Sequence, residues 1–522
     1  GGALMTCTLR ELIDALPSPH LLAPAAESDR ERLLDAPIRS VCCDSRAAGA
    51  DSLFFCLRGT RSDGHAFASA AYRQGARAFV VEQPLPALPR DAAVIRVPDS
   101  RAALADGAAA FYGYPARSMR IVGITGTKGK TTTACLAAHV LNRCGIPTGY
   151  IGTNGADFAG LHLPTVNSTP ESLELHLILR RMLDAGVRTC VMEVSSQGLW
   201  MGRVRGIPFH ACLFTNLSPD HIGGVEHPDY AHYRACKKSL FTDYPLDLAL
   251  CNADDAEAAF MMRGVTAPVR GFSVSDKPAV PGGVSPDWLA TDIRPVQRDG
   301  VPGMAFTVTA PGGSSPCFLP LPGVFNVSDA LGALALCREG FGVPVAQAAE
   351  ALADAAVPGR FETVTHPAQP GVTYIIDYAH NGLSLAAILD TLRAYRPTRL
   401  ICLFGSVGER TTGRRAELAL AAANRADLCI LTSDNPGCEP PEDIIREIDA
   451  SFPPGACPRL RIPDRANAIR AAVALARPGD MILLAGKGHE DYQLIGTSRL
   501  PFRERDILTA ALDACSTAKA NV

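Results

Sequence analysis

Between Gly126 and Thr131 the chain reads Gly-Thr-Lys-Gly-Lys-Thr, residue types suited to holding phosphate. Glycines let backbone N–H groups approach phosphate oxygens, a lysine ammonium reaches the terminal phosphates of a nucleotide, and a threonine hydroxyl is offered to Mg²⁺. Lys130 and Thr131 fill the last two roles. The strict GxxxxGK[ST] spacing is not met, because Ile124 stands where its first glycine belongs. Context supports the reading instead. Met119–Ile124 alternates as a strand, and Thr132–Cys144 has helical spacing (Cys135, Leu136, Val140, Leu141) ending at Gly145. The run therefore lies between a strand and the positive end of a helix dipole.

Other polar clusters also follow apolar runs. Val191-Met192 leads to Glu193, after a helical stretch at 171–185, and Cys212–Leu217 leads to Ser218-Pro219-Asp220-His221. In a parallel α/β sheet, ligands collect at the carboxyl ends of strands, so Glu193 is well placed to hold a metal. From about residue 357 the pattern recurs four times. Strand-like Tyr374–Asp377, Leu400–Phe404, Cys429–Leu431 and Met481–Ala485 run into Tyr378-Ala-His380, Gly405-Ser-Val-Gly-Glu-Arg410, Thr432-Ser-Asp434-Asn435-Pro436 and Gly486-Lys-Gly-His-Glu490. Helical patterns at 384–395, 414–425, 441–450 and 465–476 separate them, which predicts a doubly wound sheet with one polar edge.

These elements are framed by a small α/β segment at residues 5–115. It has strands at 52–57 and 78–82, a turn at Asp63-Gly64-His65 and a helical stretch at 67–73. Arg46 and His65 read there as ordinary surface residues. With 522 residues the chain exceeds one core, and 47% hydrophobic with 20% charged residues is ordinary globular composition. A net charge of −3 gives no whole-chain attraction to nucleic acid or an anionic membrane. No apolar run is long enough to span a bilayer, and the first residues lack the basic-then-apolar pattern of a secretion signal. Seventeen cysteines are scattered without a CxxC pair or a Cys/His zinc spacing, which fits a reducing cytoplasm.

Taken together, Gly126–Thr131, Glu193-Val-Ser-Ser196, Thr215-Asn-Leu-Ser-Pro-Asp-His221 and Asp377-Tyr-Ala-His380 resemble the Mur ligases over nearly the whole chain. Asp44-Ser-Arg46, Asn167-Ser-Thr-Pro-Glu171, Pro358-Gly-Arg-Phe361, Asp434-Asn-Pro436 and Gly486–Glu490 are most similar to the MurE branch, which joins a diamino acid to UDP-N-acetylmuramoyl-L-alanyl-D-glutamate. The resemblance implies an α/β protein of three domains. These are a UDP-binding domain at 5–115, a central P-loop ATPase domain at 116–356, and a Rossmann-like amino-acid-binding domain at 357–522. Closure of the third over the second is expected to assemble the site.

Roles follow from the same resemblance. Gly126, Thr127, Lys128, Gly129, Lys130, Thr131, Thr132, Asn326, Arg360 and Asp377 would bind ATP. Thr131, Glu193, His221 and a carbamylated Lys237 would hold Mg²⁺, with Lys130, Lys237, Glu193 and His221 as the catalytic set. The family spacing KxxLF selects Lys237 over Lys238. Ser45, Asn167, Ser168, Thr169, Ser195 and Arg203 would hold the UDP-muramoyl-peptide. Arg410, Asp434, Asn435, Gly486 and Glu490 would hold the incoming amino acid. The expected partners are the nucleotide-peptide and a free diamino acid, with no nucleic acid or membrane insertion, in a cytoplasmic monomer.

Three positions depart from the family pattern: Lys128 for a frequent Asn, Ser168 for a Thr, and Gly437 where the diaminopimelate enzymes carry Arg. A glycine cannot pair with a second carboxylate, so L-lysine is favoured over meso-diaminopimelate, with Arg410 or Arg414 as possible substitutes for the lost arginine. Rival readings fit less of the chain. A folylpolyglutamate synthetase has no UDP-binding domain, a non-catalytic nucleotide-sugar-binding protein needs no paired metal sites, and a plain P-loop ATPase leaves the third-domain strand ends unexplained.

Overall fold

The computed structural model describes all residues except 1–5, 24–26, 59–62, 86–87, 90, 220–222, 224–226, 276–282, 410–412 and 521–522. The chain folds into two compact units, Gly1–Leu289 with Leu331–Ala348, and Ala290–Ala330 with Ala349–Val522. All seventeen cysteines are free. Among the described residues no helix is long and apolar enough to cross a membrane.

Among the described residues, two larger sheets and a short pair of strands, Cys7–Thr8 with Pro37–Ile38, lie in the first unit. Near the N-terminus, strands lie in the order His20–Ala23, Ala93–Arg96, Ala78–Val81, Ser52–Phe55, Ser40–Cys42, parallel except for the first. Ser52–Phe55 and Ala78–Val81 are buried throughout. Leu53, Phe55 and Val80 face one apolar cluster while Phe54, Phe79 and Val81 face another. A strand covered on both faces reads as an unbroken apolar run, as these do. His65 corrects the surface reading: it is buried, its Nδ1 lies 2.6 Å from Asp63, and its Nε2 accepts from the Glu82 N–H at 3.0 Å. The ring ties the turn to the end of a strand.

Helix Ser100–Phe111 starts where Asp99 accepts the N–H groups of Arg101 and Ala102. It packs on helix Ser172–Asp184, Arg101 pairs with Glu171 (3.4 Å) at the start of that helix, and Asp106 pairs separately with Arg205 (3.1 Å). Segment 5–115 therefore shares a compact unit with the residues that follow it.

The larger sheet of this unit runs Leu161–Leu163, Gly155–Phe158, Thr148–Gly152, Thr189–Glu193, Arg120–Thr125, Phe209–Phe214, Ala249–Asn252, Val269–Ser273. It is parallel apart from the edge hairpin. Its register sets Glu193 opposite Ile124 and Phe214 opposite Thr125, so three successive strand ends reach one level.

In the second unit, six strands lie in the order Glu362–Val364, Thr373–Asp377, Asp480–Ala485, Arg399–Phe404, Leu428–Leu431, Arg459–Arg461. All but the first are parallel. Asp377 pairs with Ala485 and Phe404 with Leu431, which brings the four predicted strand ends together. Helices Gly382–Arg393, Gly413–Ala423, Pro441–Ala450 and Arg465–Leu475 intervene where expected.

Candidate functional site

The Gly-rich loop of the first unit is held open by its backbone. Gly126 (φ +150°) and Gly129 (φ +83°) lie where side-chain-bearing residues are disfavoured, and a Cβ on Gly126 would collide with the Thr215 hydroxyl. Helix Lys130–Arg143 begins immediately after Gly129, two residues earlier than its apolar spacing indicated. Thr132 is buried in its first turn.

Thr215 and Asn216, at the end of the neighbouring strand, clamp this loop. Thr127 N donates to Asn216 O (2.8 Å) and Lys128 N to Asn216 Oδ1 (2.9 Å). In return Thr215 Oγ1 (2.7 Å) and Asn216 Nδ2 (2.9 Å) donate to Lys128 O. Thr127 Oγ1 lies 3.0 Å from Tyr233 OH and accepts from Ser218 N. Lys130 folds over the loop, donating from Nζ to Gly126 O (2.9 Å) and Thr127 O (3.0 Å).

Glu193 is 1% exposed at its strand end. Its Oε1 accepts from Thr131 Oγ1 (2.9 Å), Tyr150 OH (2.7 Å) and Thr153 N (2.8 Å), and its Oε2 from Thr153 Oγ1 (3.2 Å). Burial pushes the Tyr150 phenol well above its usual range, so it remains a donor at neutral pH. A carboxylate beside a threonine hydroxyl is an all-oxygen donor set, and it fits a hard cation such as Mg²⁺.

Lys237 lies on helix Tyr230–Thr242 and is 2% exposed, with Nζ donating to Gly126 O at 2.8 Å. Its neighbour Lys238 stacks instead on Phe260, 4.7 Å from the ring centre. His221 lies outside the described residues.

Thr169, fully buried, joins the next group. Its hydroxyl donates to Glu193 O (3.0 Å), lies 3.2 Å from Ser195 Oγ, and accepts from Ser195 N (2.9 Å). Arg203 donates to Thr169 O (3.1 Å) and pairs with Glu171 (2.9 Å). Asn167 and Ser168 precede Thr169 and are half-buried. Ser45 stands in the turn Ser45–Ala47 of the N-terminal segment, after Asp44 and its pair with Arg46 (2.6 Å).

The second unit carries charge of both signs. Asp377 accepts from Phe361 N and Ala379 N at 2.8 Å each, and burial outweighs the nearby Arg360 to push its carboxyl up. Arg360 lies over the Tyr378 ring, 5.3 Å from its centre. Asn326 donates to Pro322 O (2.6 Å), and the adjacent Phe325 meets Phe361 with ring centres 6.1 Å apart. Beyond Asp377, Lys487 is fully buried and its Nζ donates to Asn435 Oδ1 (2.8 Å) and Glu490 Oε2 (2.7 Å), with Asp434 at 3.9 Å. Asn435 also donates to Glu490 at 3.0 Å. Burial pushes the Asp434 carboxyl up despite Arg465 and Lys487. Gly486 (φ +112°) leaves room for Asp434, whose Oδ2 would lie 2.9 Å from a Cβ there. Gly437 (φ +60°) has the Glu409 carboxylate 2.7 Å from where its Cβ would stand. Arg410 lies outside the described residues.

Four residues of these networks escaped the sequence reading. Lys487 sits inside a noted strand-end cluster, and its position between two glycines was the available signal. Tyr150 and Thr153 lie on a strand and loop that carry no motif, and Arg465 opens a helix that reads as ordinary.

Comparison with known proteins decides the family. Residues 37–112 match the Mur ligase family catalytic domain, 124–337 the Mur ligase middle domain, and 359–488 the Mur ligase glutamate ligase domain. The UDP-N-acetylmuramoyl-L-alanyl-D-glutamate–2,6-diaminopimelate ligase of Geobacillus thermodenitrificans is 38% identical over 478 residues, covering 90% of this chain and 94% of that protein. The chain belongs to the Mur ligase family. A protein of the same name from Chlorobaculum tepidum is 40% identical over 482 residues, covering 91% of this Mur ligase and 92% of its own length. A solved structure of a UDP-N-acetylmuramoyl-L-alanyl-D-glutamate–2,6-diaminopimelate ligase superposes with a TM-score of 0.68 at 27% identity, covering 98% of this chain and 99% of that one. Mycobacterium tuberculosis folylpolyglutamate synthase complexed with ADP shares the fold at 19% identity and a TM-score of 0.57, over 73% of this Mur ligase and 91% of its own chain. The relatives' names favour diaminopimelate over the lysine preference drawn from Gly437.

Proposed function

We propose that this Mur ligase uses ATP to join a diamino acid, meso-diaminopimelate, to UDP-N-acetylmuramoyl-L-alanyl-D-glutamate in cell-wall precursor synthesis. The observation that carries the reading is the convergence on the Gly126–Thr131 loop. Thr131 bonds Glu193, Lys237 bonds Gly126, and Thr169 bonds the Glu193 backbone.

In the reaction, the substrate carboxylate attacks the γ-phosphate of ATP, giving an acyl phosphate and ADP. The amine of the incoming amino acid then attacks that carbonyl, and phosphate leaves. The protein contributes positioning and charge. Lys130, in contact with two loop carbonyls, exchanges them for phosphate oxygens and offsets their negative charge. Thr131 and Glu193 would hold Mg²⁺, which neutralises phosphate charge when bound. Addition of CO₂ to the neutral amine of Lys237, with one N–H proton lost to solvent, would form a carbamate whose single negative charge is shared by two oxygens, and with Glu193 and His221 it would hold the family's second metal. Asn167, Ser168, Thr169, Ser195 and Arg203 orient the muramoyl-peptide, and Ser45 its uridine diphosphate end. Asn326, Arg360 and Asp377 serve the nucleotide, while Arg410, Asp434, Asn435, Gly486 and Glu490 serve the amino acid. The enzyme acts in the cytoplasm as a monomer.

Lysine is the second reading, favoured by Gly437 and Glu409. A carboxylate at that point repels a second substrate carboxylate and attracts an ammonium. Phosphate release from ATP with the nucleotide-dipeptide, comparing meso-diaminopimelate, L-lysine, L-ornithine and no amino acid, tests both. Release that requires the dipeptide and diaminopimelate is the expected result. Dependence on L-lysine instead transfers the assignment to the second reading, and no release with any amino acid, in protein that still binds ATP, ends the ligase assignment.

A further inference from the structure

The helix that carries Lys237 also carries a set of softer ligands. Asp229 caps helix Tyr230–Thr242 by accepting from His232 N at 2.7 Å, which fixes the first turn. His232 and Cys236 are four residues apart on that helix, so they share a face. Ahead of the helix, His227 places its Nδ1 2.9 Å from His232 Nδ1, and Cys236 Sγ lies 3.8 Å from the His232 ring nitrogens. One ligand atom from each residue falls within 4.8 Å of the other two, and among the described residues this is the one group of three His, Cys, Asp or Glu that meets that condition.

The hydrogen bond on the far side of His227 points the same way. Its Nε2 lies 2.9 Å from Oγ of the buried Ser196. With Nε2–H donated to that hydroxyl, Nδ1 holds a lone pair aimed at the His232 ring. An outward N–H bond that fixes tautomer and orientation is the usual support of a metal-ligating histidine. Trp200 covers both rings, with centres 5.7 Å from His227 and 5.3 Å from His232. With Zn–N of about 2.0–2.1 Å and Zn–S of about 2.3 Å, tetrahedral ligand atoms stand about 3.3–3.7 Å apart, a spacing bracketed by the contacts here.

We propose that His227, His232 and Cys236 form a three-ligand site for a borderline-soft divalent ion of the zinc class. Two imidazoles and a thiolate select such an ion over Mg²⁺, which prefers oxygen. The thiol proton leaves to solvent as the metal binds. This site is separate from the oxygen ligands of Thr131 and Glu193, yet Cys236 is the residue before Lys237. No zinc spacing marked it in the sequence because its third ligand comes from outside the helix.

Cobalt titration of the full-length, chelator-stripped protein in excess Mg²⁺ tests the proposal, with Co²⁺ as the probe. The expected result is saturation at one equivalent, with intense visible bands of tetrahedral cobalt and a near-ultraviolet thiolate-to-cobalt band, both bleached by Zn²⁺. Cys236→Ser should abolish the near-ultraviolet band, and His232→Gln should weaken Co²⁺ binding at least about tenfold. His227→Asn, read by the same bands, serves if either variant fails to fold. Weak octahedral bands alone, or a thiolate band that survives Cys236→Ser, would overturn the site. The readout needs no turnover, so it stands or falls apart from the ligase assay.

Discussion

The two polar clusters differ in how they hold their functional groups. Around Glu193, one buried carboxylate is met by neutral donors: two hydroxyls, a phenol and a backbone N–H. Around Asp434, buried charges meet buried charges, with Lys487 between Asp434 and Glu490 and Arg465 donating to Glu504 at 2.8 Å. Neutral donors can be removed one at a time with modest loss. Opposed buried charges cannot, because deleting one strands its partner in a medium of low polarity.

The largest predicted effect breaks the charged cluster. Lys487→Met should destabilise the second unit by about 3–5 kcal/mol in urea denaturation, and adding Glu490→Gln should return part of that loss. Next, Lys130→Met should lower the rate of amide formation by about 10²–10³-fold with a smaller shift of the unfolding midpoint than Lys487→Met, because half-buried Lys130 donates to loop carbonyls. Separate kcat and midpoint measurements on one preparation check both halves.

The third prediction uses acid. His176 is buried in helix Ser172–Asp184, with neither ring nitrogen hydrogen-bonded, and burial lowers its pKa from 6.5 to about 4. A depressed histidine contributes stability fully present above pH 6.5 and lost as pH falls toward 4. The first unit should therefore be about 2 kcal/mol less stable at pH 5 than at pH 7, and His176→Leu should flatten that slope. In the second unit the raised carboxyls of Asp377, Asp434 and Glu504 act in the opposite sense, with stability present at low pH and lost as pH rises through their own range. The smallest effect is expected from Thr215→Val, which removes one donor to Lys128 O. It should cost about 1–2 kcal/mol and raise KM for ATP more than it lowers kcat.

Much of this was legible because the central strands of the sheets that carry these residues are parallel. The position of Glu193, Asp377 and Asp434 at or just past strand ends was readable from an apolar run followed by polar residues. Family spacing distinguished Lys237 from Lys238, and the two side chains do point to different surroundings, the Gly126 carbonyl and the Phe260 ring. What escaped was contact between distant segments. The Thr215–Asn216 clamp lies nearly ninety residues from the loop it holds (|i−j| of 87 and 88). Tyr150 and Thr153 act through the register of their strand, and His65 through a turn folding back on Glu82, neither of which has a local signature. The packing of helix Ser100–Phe111 on helix Ser172–Asp184 was also hidden, because no local pattern marks it.

If Glu193 holds the cation as proposed, its four hydrogen bonds would bear on how quickly that cation is taken up. A carboxylate already fixed by Tyr150 and Thr153 has no rotamers left to search, so an arriving ion meets its ligand in place. Thr131 and Glu193 would hold the ion through oxygen, and for that the Thr131 hydroxyl would have to turn its proton away from Glu193. The rearrangement required of this chain would then be the swing of a single O–H bond.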